Sequence, residues 1–177
     1  MQHFPTGLDV TWRPYSTSTD LNTQLAEWLI DTGSLTERIE SHCTHFSVRL
    51  LGQGEKPIHQ CESERLLFSE SEYNVREVVL LADDVPWVFA RSIIPSKLAN
   101  GEWNTMGSAP LGRQLFNDKR FIRSDFDLAS VKAKHFSELI SLSDDDQVLH
   151  GRRSSFRRGD FDVLVAEVFL PESPAYK

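Results

Sequence analysis

The sequence lacks the features of membrane, exported and disulfide-stabilised proteins. No apolar run approaches the roughly 20 residues that a helix needs to cross a bilayer. The first residues contain neither a basic segment nor a continuous apolar stretch, so we expect no signal peptide. The chain of 177 residues has only 2 cysteines, Cys43 and Cys61, which form no obvious disulfide framework. We therefore expect a cytoplasmic protein with reduced thiols.

Positive charge is also scarce. The chain has 19 Lys and Arg against 26 Asp and Glu, which gives a formal net charge of -7. Nucleic acids and anionic membrane surfaces both attract basic proteins, so this balance disfavours either as a partner. If the ligand is a small anion, arginines must be concentrated locally in its site.

Common nucleotide-binding and nucleophile motifs are missing as well. The sequence contains no G-x-G-x-x-G, no G-x-x-x-x-G-K-[ST] and no G-x-S-x-G. Potential zinc ligands do lie near one another, at His42, Cys43, His45, His59 and Cys61. None of them has the tight C-x-x-C or H-x-x-x-H spacing of strong zinc motifs. We therefore predict no metal site.

The remaining composition is that of an ordinary globular protein, and the length suits a single domain over residues 1–177. Thr19 and Asp20 form a possible N-cap before a helix whose apolar stripe is Leu21, Leu25, Trp28 and Leu29. Ser34 and Glu37 have the spacing of a capping box that opens a second short helix. Two helices joined so closely form a helical hairpin, which can serve as a flap.

From Phe46 onward the apolar residues alternate with polar ones, as in strands. A strand runs to Leu51 and is followed by a predicted turn, GQGEKP. Two β-hairpins are centred on Asp83 with Asp84 and on Gly159 with Asp160. PLGRQLF reads as a short helical turn, and KRFIRSDFDL as one further strand. Together these patterns predict an α+β fold with a single antiparallel sheet and helices packed on it.

Two arginines of the first hairpin occupy positions where apolar residues are expected. If Asp83 and Asp84 form a two-residue turn, Arg76 stands directly opposite Arg91. Like charges placed opposite each other destabilise a sheet, so something negative should lie between or above them. Alternatively, both side chains reach solvent from the sheet margin or pair with acidic neighbours.

Glu167 presents the same problem with the opposite sign. It shares a strand face with Val163, Val165 and Phe169, and the second hairpin places Arg152 directly opposite it. One interpretation is a structural ion pair between Glu167 and Arg152, which would compensate a carboxylate in apolar surroundings. The other is a carboxylate presented to a bound hydroxyl group or to an acidic C–H. Spacing alone leaves both open.

Several of these segments, in this order, resemble the chorismate pyruvate-lyase family of ubiquinone biosynthesis. They are VREVVLLADDVPWVFARSIIP, APLGRQLF, HGRRSSF and LVAEVFLPESPAY, and the resemblance extends from about Leu21 to Tyr176. It implies a monomeric α+β fold with an internal ligand site beneath helical flaps. It also implies a cytoplasmic carbon–oxygen lyase that needs no cofactor and converts chorismate into 4-hydroxybenzoate and pyruvate. A product site buried under flaps further implies slow product release and product inhibition.

The resemblance also implies the roles of individual residues. Arg76 would bind the ring carboxylate, and Glu167 would meet the 4-hydroxyl group. Beyond the resemblance, we expect Glu167 to accept the C4 proton, directly or through a water. Leu35 and Leu111 would contribute main-chain contacts to the ligand. The family pattern can carry methionine where this chain has Leu35, a departure that a main-chain role would survive.

Arg91 matches a second arginine of the family hairpin. We expect it, with Arg152 or Arg153 nearby, to stabilise the enolpyruvyl carboxylate and the leaving oxygen. The chain departs from the family pattern between Asp127 and Gln147, where it carries extra residues. The alternative to an enzyme is a non-catalytic sensor or carrier of small aromatic acids, because the same fold resembles the effector-binding domains of some bacterial transcription regulators.

Overall fold

The computed structural model describes residues 4–17, 21–107 and 109–177. In these residues eight strands form one antiparallel sheet. The strands are β1 (Arg13–Pro14), β2 (Phe46–Glu55), β3 (Tyr73–Ala82), β4 (Val85–Pro95), β5 (Ile122–Arg123), β6 (Asp127–Lys132), β7 (Val148–Arg158) and β8 (Phe161–Phe169). Their order in the sheet is β1-β6-β7-β8-β4-β3-β2, and β5 is also paired to β7. The helices are α1 (Thr23–Leu29), α2 (Leu35–Glu40), α3 (Gln60–Ser63), α4 (Ser96–Asn100) and α5 (Leu111–Asn117). The predicted α+β architecture is confirmed.

Short 3-10 turns occupy Tyr15–Thr17, Ala133–Phe136 and Pro174–Tyr176. Among the described helices, none is long and apolar enough to span a membrane.

Both predicted hairpins are present, and their turns explain why. Asp83 and Asp84 join β3 to β4 with φ values of 49° and 65°, which suits a type I′ turn. Gly159 joins β7 to β8 with a φ of 56°, a left-handed conformation that glycine adopts without a steric penalty. Each turn matches the right-handed twist of the strands that it connects.

The register predicted for the first hairpin is wrong beyond its turn. The pairs next to the turn follow the prediction, but Leu81 pairs with Pro86 while Leu80 pairs with Val88. Trp87 is therefore an extra residue on β4, a β-bulge that shifts the rest of the strand by one position. As a result Arg76 pairs with Ser92 and Glu77 pairs with Arg91. The repulsion expected between Arg76 and Arg91 does not exist.

Two other local expectations also need correction. β2 continues to Glu55 where a turn was predicted, with a bulge at Leu51. Gly52 is required inside this strand because an added Cβ would lie 2.2 Å from the ring of Phe4. The strand predicted for KRFIRSDFDL is divided into β5 and β6, which both run beside β7.

The helical hairpin covers one face of the sheet. α1 begins after Asn22, whose side chain accepts a hydrogen bond from the Leu25 amide, whereas the predicted caps at Thr19 and Asp20 lie outside the described residues. α2 begins after Ser34, whose hydroxyl accepts from the Glu37 amide as predicted. Apolar residues of α1 and α2 pack with those of the central strands in a core cluster that includes Leu25, Trp28, Leu29, Leu35, Ile39, Val78, Leu80 and Phe169.

The opposite face of the sheet has its own core. Its members include Leu8, Val79, Leu81, Phe89, Phe136, Leu149 and Val168. Since successive side chains of a strand point to opposite faces, each central strand supplies both clusters. This two-sided burial explains why β3 and β4 contain nearly continuous apolar runs.

Candidate active site

A cavity lies between the first face of the sheet and the helices α2 and α5. The empty space between its walls is about 600 Å³, a value that includes solvent at its mouth. The polar side chains that line it are Thr36, Arg76, Ser92, Arg123, Arg152 and Glu167. The apolar ones include Leu35, Val48, Val78, Leu80, Ala90, Leu111, Leu115, Phe116, Phe156 and Val165. An apolar chamber with a few convergent charges is typical of an enzyme or ligand-binding site.

Arg76 projects into this cavity from the middle of β3 and is only 2% exposed. Its guanidinium donates hydrogen bonds to the carbonyl oxygens of Gly107 (2.5 Å) and Ala109 (2.8 Å), and to the Gln53 side chain (2.8 Å). Burial lowers the pKa of Arg76 below its usual value. Among the described residues no carboxylate forms an ion pair with it. Arg76 is therefore a buried cation held by neutral acceptors.

Glu167 projects into the same cavity from β8. β7 places Arg152 opposite it, as predicted, and the Arg152 Nε donates to Glu167 Oε2 over 2.7 Å. Arg152 also donates from Nη1 to the carbonyl oxygens of Trp28, Leu29 and Asp31, at the end of α1. The ion pair is structural in this sense, yet it leaves the Glu167 carboxylate on the cavity wall. The ion-pair interpretation is therefore confirmed, and the role of the carboxylate toward a ligand stays a prediction.

Arg123, on β5, is a third arginine of the cavity. Its guanidinium lies over the rings of Phe126 (4.3 Å), Phe156 (5.0 Å) and Phe116 (5.6 Å), and its Nε donates to Ser154 Oγ at 2.9 Å. Burial lowers its pKa to about 10, although the charge of Glu167 acts in the opposite direction. The sequence alone does not identify this residue. A strand of two residues has no apolar alternation against which a charged side chain would stand out.

The charges of the cavity do not balance. Arg76, Arg123 and Arg152 line it together with a single carboxylate, Glu167. Two of these positive charges therefore have no carboxylate of their own among the described lining residues, although the charge of Asp31, outside the lining, acts on Arg123 and Arg152. A low-dielectric site with such an excess favours a ligand that carries two negative charges.

Leu35 and Leu111, the two leucines predicted to contact ligand, are both buried at the cavity wall. They are the first residues of α2 and α5, so the two helices present equivalent ends to the chamber. The side chains of Glu40 and Arg113 form an ion pair that joins these helices on the outside. The helices α2 and α5 therefore close the cavity as a pair of connected flaps.

Arg91 does not line the cavity. Because of the bulge at Trp87, its side chain lies on the opposite face of the sheet, where it is 1% exposed. Its Nε lies 2.6 Å from Glu62 Oε1, and its Nη1 lies 2.9 Å from Glu77 Oε1. Although burial alone would lower the pKa of Arg91, hydrogen bonds and charges from Glu62 and Glu77 raise it. The placement beside Arg76 that was inferred from the sequence is wrong.

Arg153 is on that opposite face as well. Its Nε donates to Asp127 Oδ2 at 2.9 Å, and its Nη1 donates to the carbonyl of Cys61 at 2.9 Å. Arg91, Arg152 and Arg153 were expected near the enolpyruvyl group, and of these three Arg152 alone lines the cavity.

Two of the potential zinc ligands, His59 and His42, have other partners. His59 Nε2 accepts a hydrogen bond from the Leu8 amide, and His42 packs against the Trp28 ring. In the described part of the chain, no group of three or more His, Cys, Asp or Glu side chains is arranged to hold a metal ion.

Solved structures with this fold include ligand-binding domains of bacterial regulators. The effector domain of PhnF from Mycobacterium smegmatis superimposes with a TM-score of 0.61 at 15% identity, over 81% of this chain and 92% of that one. The ligand-binding domain of a putative GntR-family regulator from Bordetella bronchiseptica gives 0.57 at 19% identity, over 73% and 86%. At such identities these likenesses show the fold alone.

Sequence relatives are closer. A probable chorismate pyruvate-lyase of Pseudoalteromonas atlantica is 38% identical over 190 residues, which cover 98% of this chain and 93% of that protein. A probable chorismate pyruvate-lyase of Pseudomonas putida is 39% identical, and a probable chorismate pyruvate-lyase 2 of Pseudomonas entomophila is 40% identical. Each match covers 94% of this chain and 91% of the relative. The model of the chorismate lyase family matches residues 8–177. The chain belongs to the chorismate lyase family.

Proposed function

We propose that this protein is a chorismate pyruvate-lyase, which eliminates pyruvate from chorismate to form 4-hydroxybenzoate, the first committed step of ubiquinone biosynthesis. The observation that carries the proposal is the charge of the cavity: three arginines against one glutamate. Chorismate is a dicarboxylate, so its two negative charges equal the excess of arginines over carboxylates in the cavity lining. The family, and the names of its members, support the same assignment.

The spacing of Arg76 and Glu167 suits a para-substituted ring. They project from β3 and β8, on either side of β4, and their positions are offset by two residues along the strands. Strand spacing and rise then put their Cα atoms on the order of 12 Å apart. Arg76 binds the ring carboxylate as a bidentate clamp, replacing its neutral carbonyl partners by a charged one. Glu167 meets the 4-hydroxyl group at the other end.

The reaction breaks the C4–H and C3–O bonds at two adjacent ring carbons. The C4–H electrons form the new C3=C4 double bond, and the C3–O electrons leave with the oxygen as the enolate of pyruvate, whose methylene carbon takes up a proton to give pyruvate. Glu167 holds the 4-hydroxyl group and accepts the C4 proton, directly or through a water. Arg152 fixes the orientation of that carboxylate. Aromatisation supplies the driving force, so the chemistry requires neither a redox cofactor nor a metal.

The flaps determine how ligands enter and leave. Leu35 and Leu111 close the chamber and offer main-chain contacts to the bound ring. With the product enclosed in this way, release of 4-hydroxybenzoate limits turnover and the product inhibits the enzyme. Rapid mixing with excess chorismate is then expected to show a burst of product, and its absence would argue against slow release. The proposal further includes a monomeric enzyme that acts in the cytoplasm.

One ultraviolet assay tests the function. Purified protein mixed with chorismate should consume it and release 4-hydroxybenzoate and pyruvate in equal amounts. Glu167→Gln is expected to lower kcat by roughly 10²–10⁴-fold if the carboxylate is the base. A nearly normal kcat would remove the base assignment and leave a binding role.

Substitution of Arg76 tests the clamp separately. Arg76→Ala is expected to weaken 4-hydroxybenzoate binding by about tenfold or more, because a charge-assisted hydrogen bond contributes roughly 1.5–3 kcal/mol. Arg120→Ala, at a side chain that is 69% exposed, is the matched control and should bind normally. Unchanged affinity in Arg76→Ala would rule the clamp out.

Ligand binding without catalysis is the second candidate. The observation that favours it is the fold, which is shared with the effector domain of PhnF and other regulator domains. Such a sensor or carrier would bind 4-hydroxybenzoate but leave chorismate intact. The same assay therefore separates the two candidates.

A further inference from the structure

We infer that Arg123 binds the carboxylate of the enolpyruvyl side chain of chorismate and thereby distinguishes the substrate from ring-only acids. The inference rests on the proposed function and deepens it, because it assigns the second carboxylate of the substrate to a residue that the sequence does not single out. It requires an available cation, a position near C3 of the ring, and space for the side chain.

Of the two arginines at this end of the cavity, Arg123 and Arg152, Arg123 is the one without an ion-pair partner among the described residues. Arg152 already forms an ion pair with Glu167 and donates to three carbonyl oxygens of the α1 end. Arg123 donates to two neutral oxygens, Ser154 Oγ at 2.9 Å and the Thr32 carbonyl at 3.3 Å. No ion pair joins it to a carboxylate of the described residues. A substrate carboxylate would supply the missing negative partner.

The position of Arg123 fits the chemistry of the ring. In chorismate the enolpyruvyl ether is on C3, next to C4, whereas the ring carboxylate is on C1 at the far end. The cation that meets the side chain must then lie near Glu167 rather than near Arg76. Arg123 and Arg152 lie over the same Phe126 ring, at 4.3 and 4.7 Å, and Arg152 donates to Glu167, which places Arg123 at the Glu167 end.

Arg123 also stands at a boundary. Together with Phe116 it lines both the internal cavity and an outer groove, whose walls include Tyr15, Ile30 and Phe126. A side chain that extends from C3 toward Arg123 therefore points toward the outside. Pyruvate released there would have a shorter way out than 4-hydroxybenzoate, which remains under the flaps.

Three ligands isolate the contribution of the second carboxylate. 3-(Carboxymethoxy)-4-hydroxybenzoate is a stable mimic that carries an acid on the C3 ether, 3-methoxy-4-hydroxybenzoate keeps the ether without the acid, and 4-hydroxybenzoate lacks both. Dissociation constants are measured by calorimetry for the wild type, Arg123→Gln, Arg123→Lys and the control Arg120→Gln.

The wild type is expected to prefer the carboxymethoxy ligand over the methoxy ligand by about ten- to a hundredfold, the range for a charge-assisted contact. Arg123→Gln should abolish this preference while its affinity for 4-hydroxybenzoate stays within about threefold. Arg123→Lys, which keeps the charge, should retain part of the preference. With chorismate, kcat/KM of Arg123→Gln should fall in proportion to the lost preference.

Other outcomes overturn the inference. A wild type without the preference, or an Arg123→Gln protein that retains it, excludes carboxylate binding by Arg123. Equal losses for all three ligands would assign Arg123 to packing of the surrounding rings alone. Failure of the proposed function looks different, since the wild type itself would then leave chorismate unconsumed.

Discussion

Replacement of Arg91 by methionine probes the charge cluster on the face opposite the cavity. Methionine has a similar length but no charge, so Glu62 and Glu77 would lose their shared cation. These carboxylates are 4% and 0% exposed, and solvent cannot replace the three hydrogen bonds that Arg91 donates to them. Glu77 would keep the Gly7 amide at 2.8 Å, and Glu62 the His59 amide at 2.8 Å.

The expected loss of stability is large. Removing one partner of a buried ion pair costs about 3–5 kcal/mol, because a charge is left uncompensated at low dielectric. For a chain of this length each kcal/mol lowers the Tm by about 2–4 °C, so Arg91→Met should melt roughly 6–20 °C below the wild type. Arg120→Met on the surface should stay within about 0.5 kcal/mol.

Urea denaturation followed by circular dichroism measures this loss. The triple variant Arg91→Met, Glu62→Gln, Glu77→Gln removes the unpaired charges and should recover most of the lost stability. In Arg91→Met held at low temperature, affinity for 4-hydroxybenzoate should stay within about threefold, because the side chain faces away from the cavity. If Arg91→Met were as stable as the wild type but did not bind 4-hydroxybenzoate, this reasoning would be refuted. Arg91 would then have a role in ligand binding.

Three smaller predictions follow from other parts of the molecule. Burial lowers the pKa of His150 below 6.5. The unfolded chain therefore binds more protons than the folded one, and stability falls as pH falls through 6.5. The urea midpoint of His150→Gln should fall less than that of the wild type between about pH 7 and pH 5. Gly52→Ala places a Cβ against the Phe4 ring and should cost about 1–3 kcal/mol in thermal melts, which Phe4→Ala should partly relieve. Loss of the ion pair between Glu40 and Arg113 should speed 4-hydroxybenzoate release in stopped-flow, by at most about fivefold, and the charge-swapped double variant should restore the slow rate.

Most of the architecture could be predicted from the sequence because local signals agree with the tertiary fold. The aspartates at 83 and 84 and the glycine at 159 set the hairpin turns, and alternation sets the faces of the strands. The second hairpin has a regular ladder, so counting from its turn gives the correct partner for Glu167. The first hairpin contains a bulge that no residue in its sequence predicts. Counting from its turn therefore gives the wrong partner for Arg91.

The candidate site could be predicted only in part. Arg76 and Glu167 draw attention because each is a charge within an apolar strand, and both line the cavity. Arg123 stays hidden because β5 has two residues and no period. Its placement depends on pairing with β7 across a long sequence separation, which composition and spacing do not encode.

The extra residue at Trp87 has a consequence for how this chain can change over time. Adjacent residues of one strand lie on opposite faces of the sheet. Arg76 and Arg152 line the cavity, whereas their neighbours Glu77 and Arg153 form ion pairs on the other face. A one-residue deletion inside a central strand would turn the side chains beyond it to the other face of the sheet. Ligand-binding groups would then leave the cavity, and the charged groups of the opposite face would enter it. Length variation among relatives should therefore accumulate in the connections, such as residues 133–147, and spare the strands that separate chemistry from support.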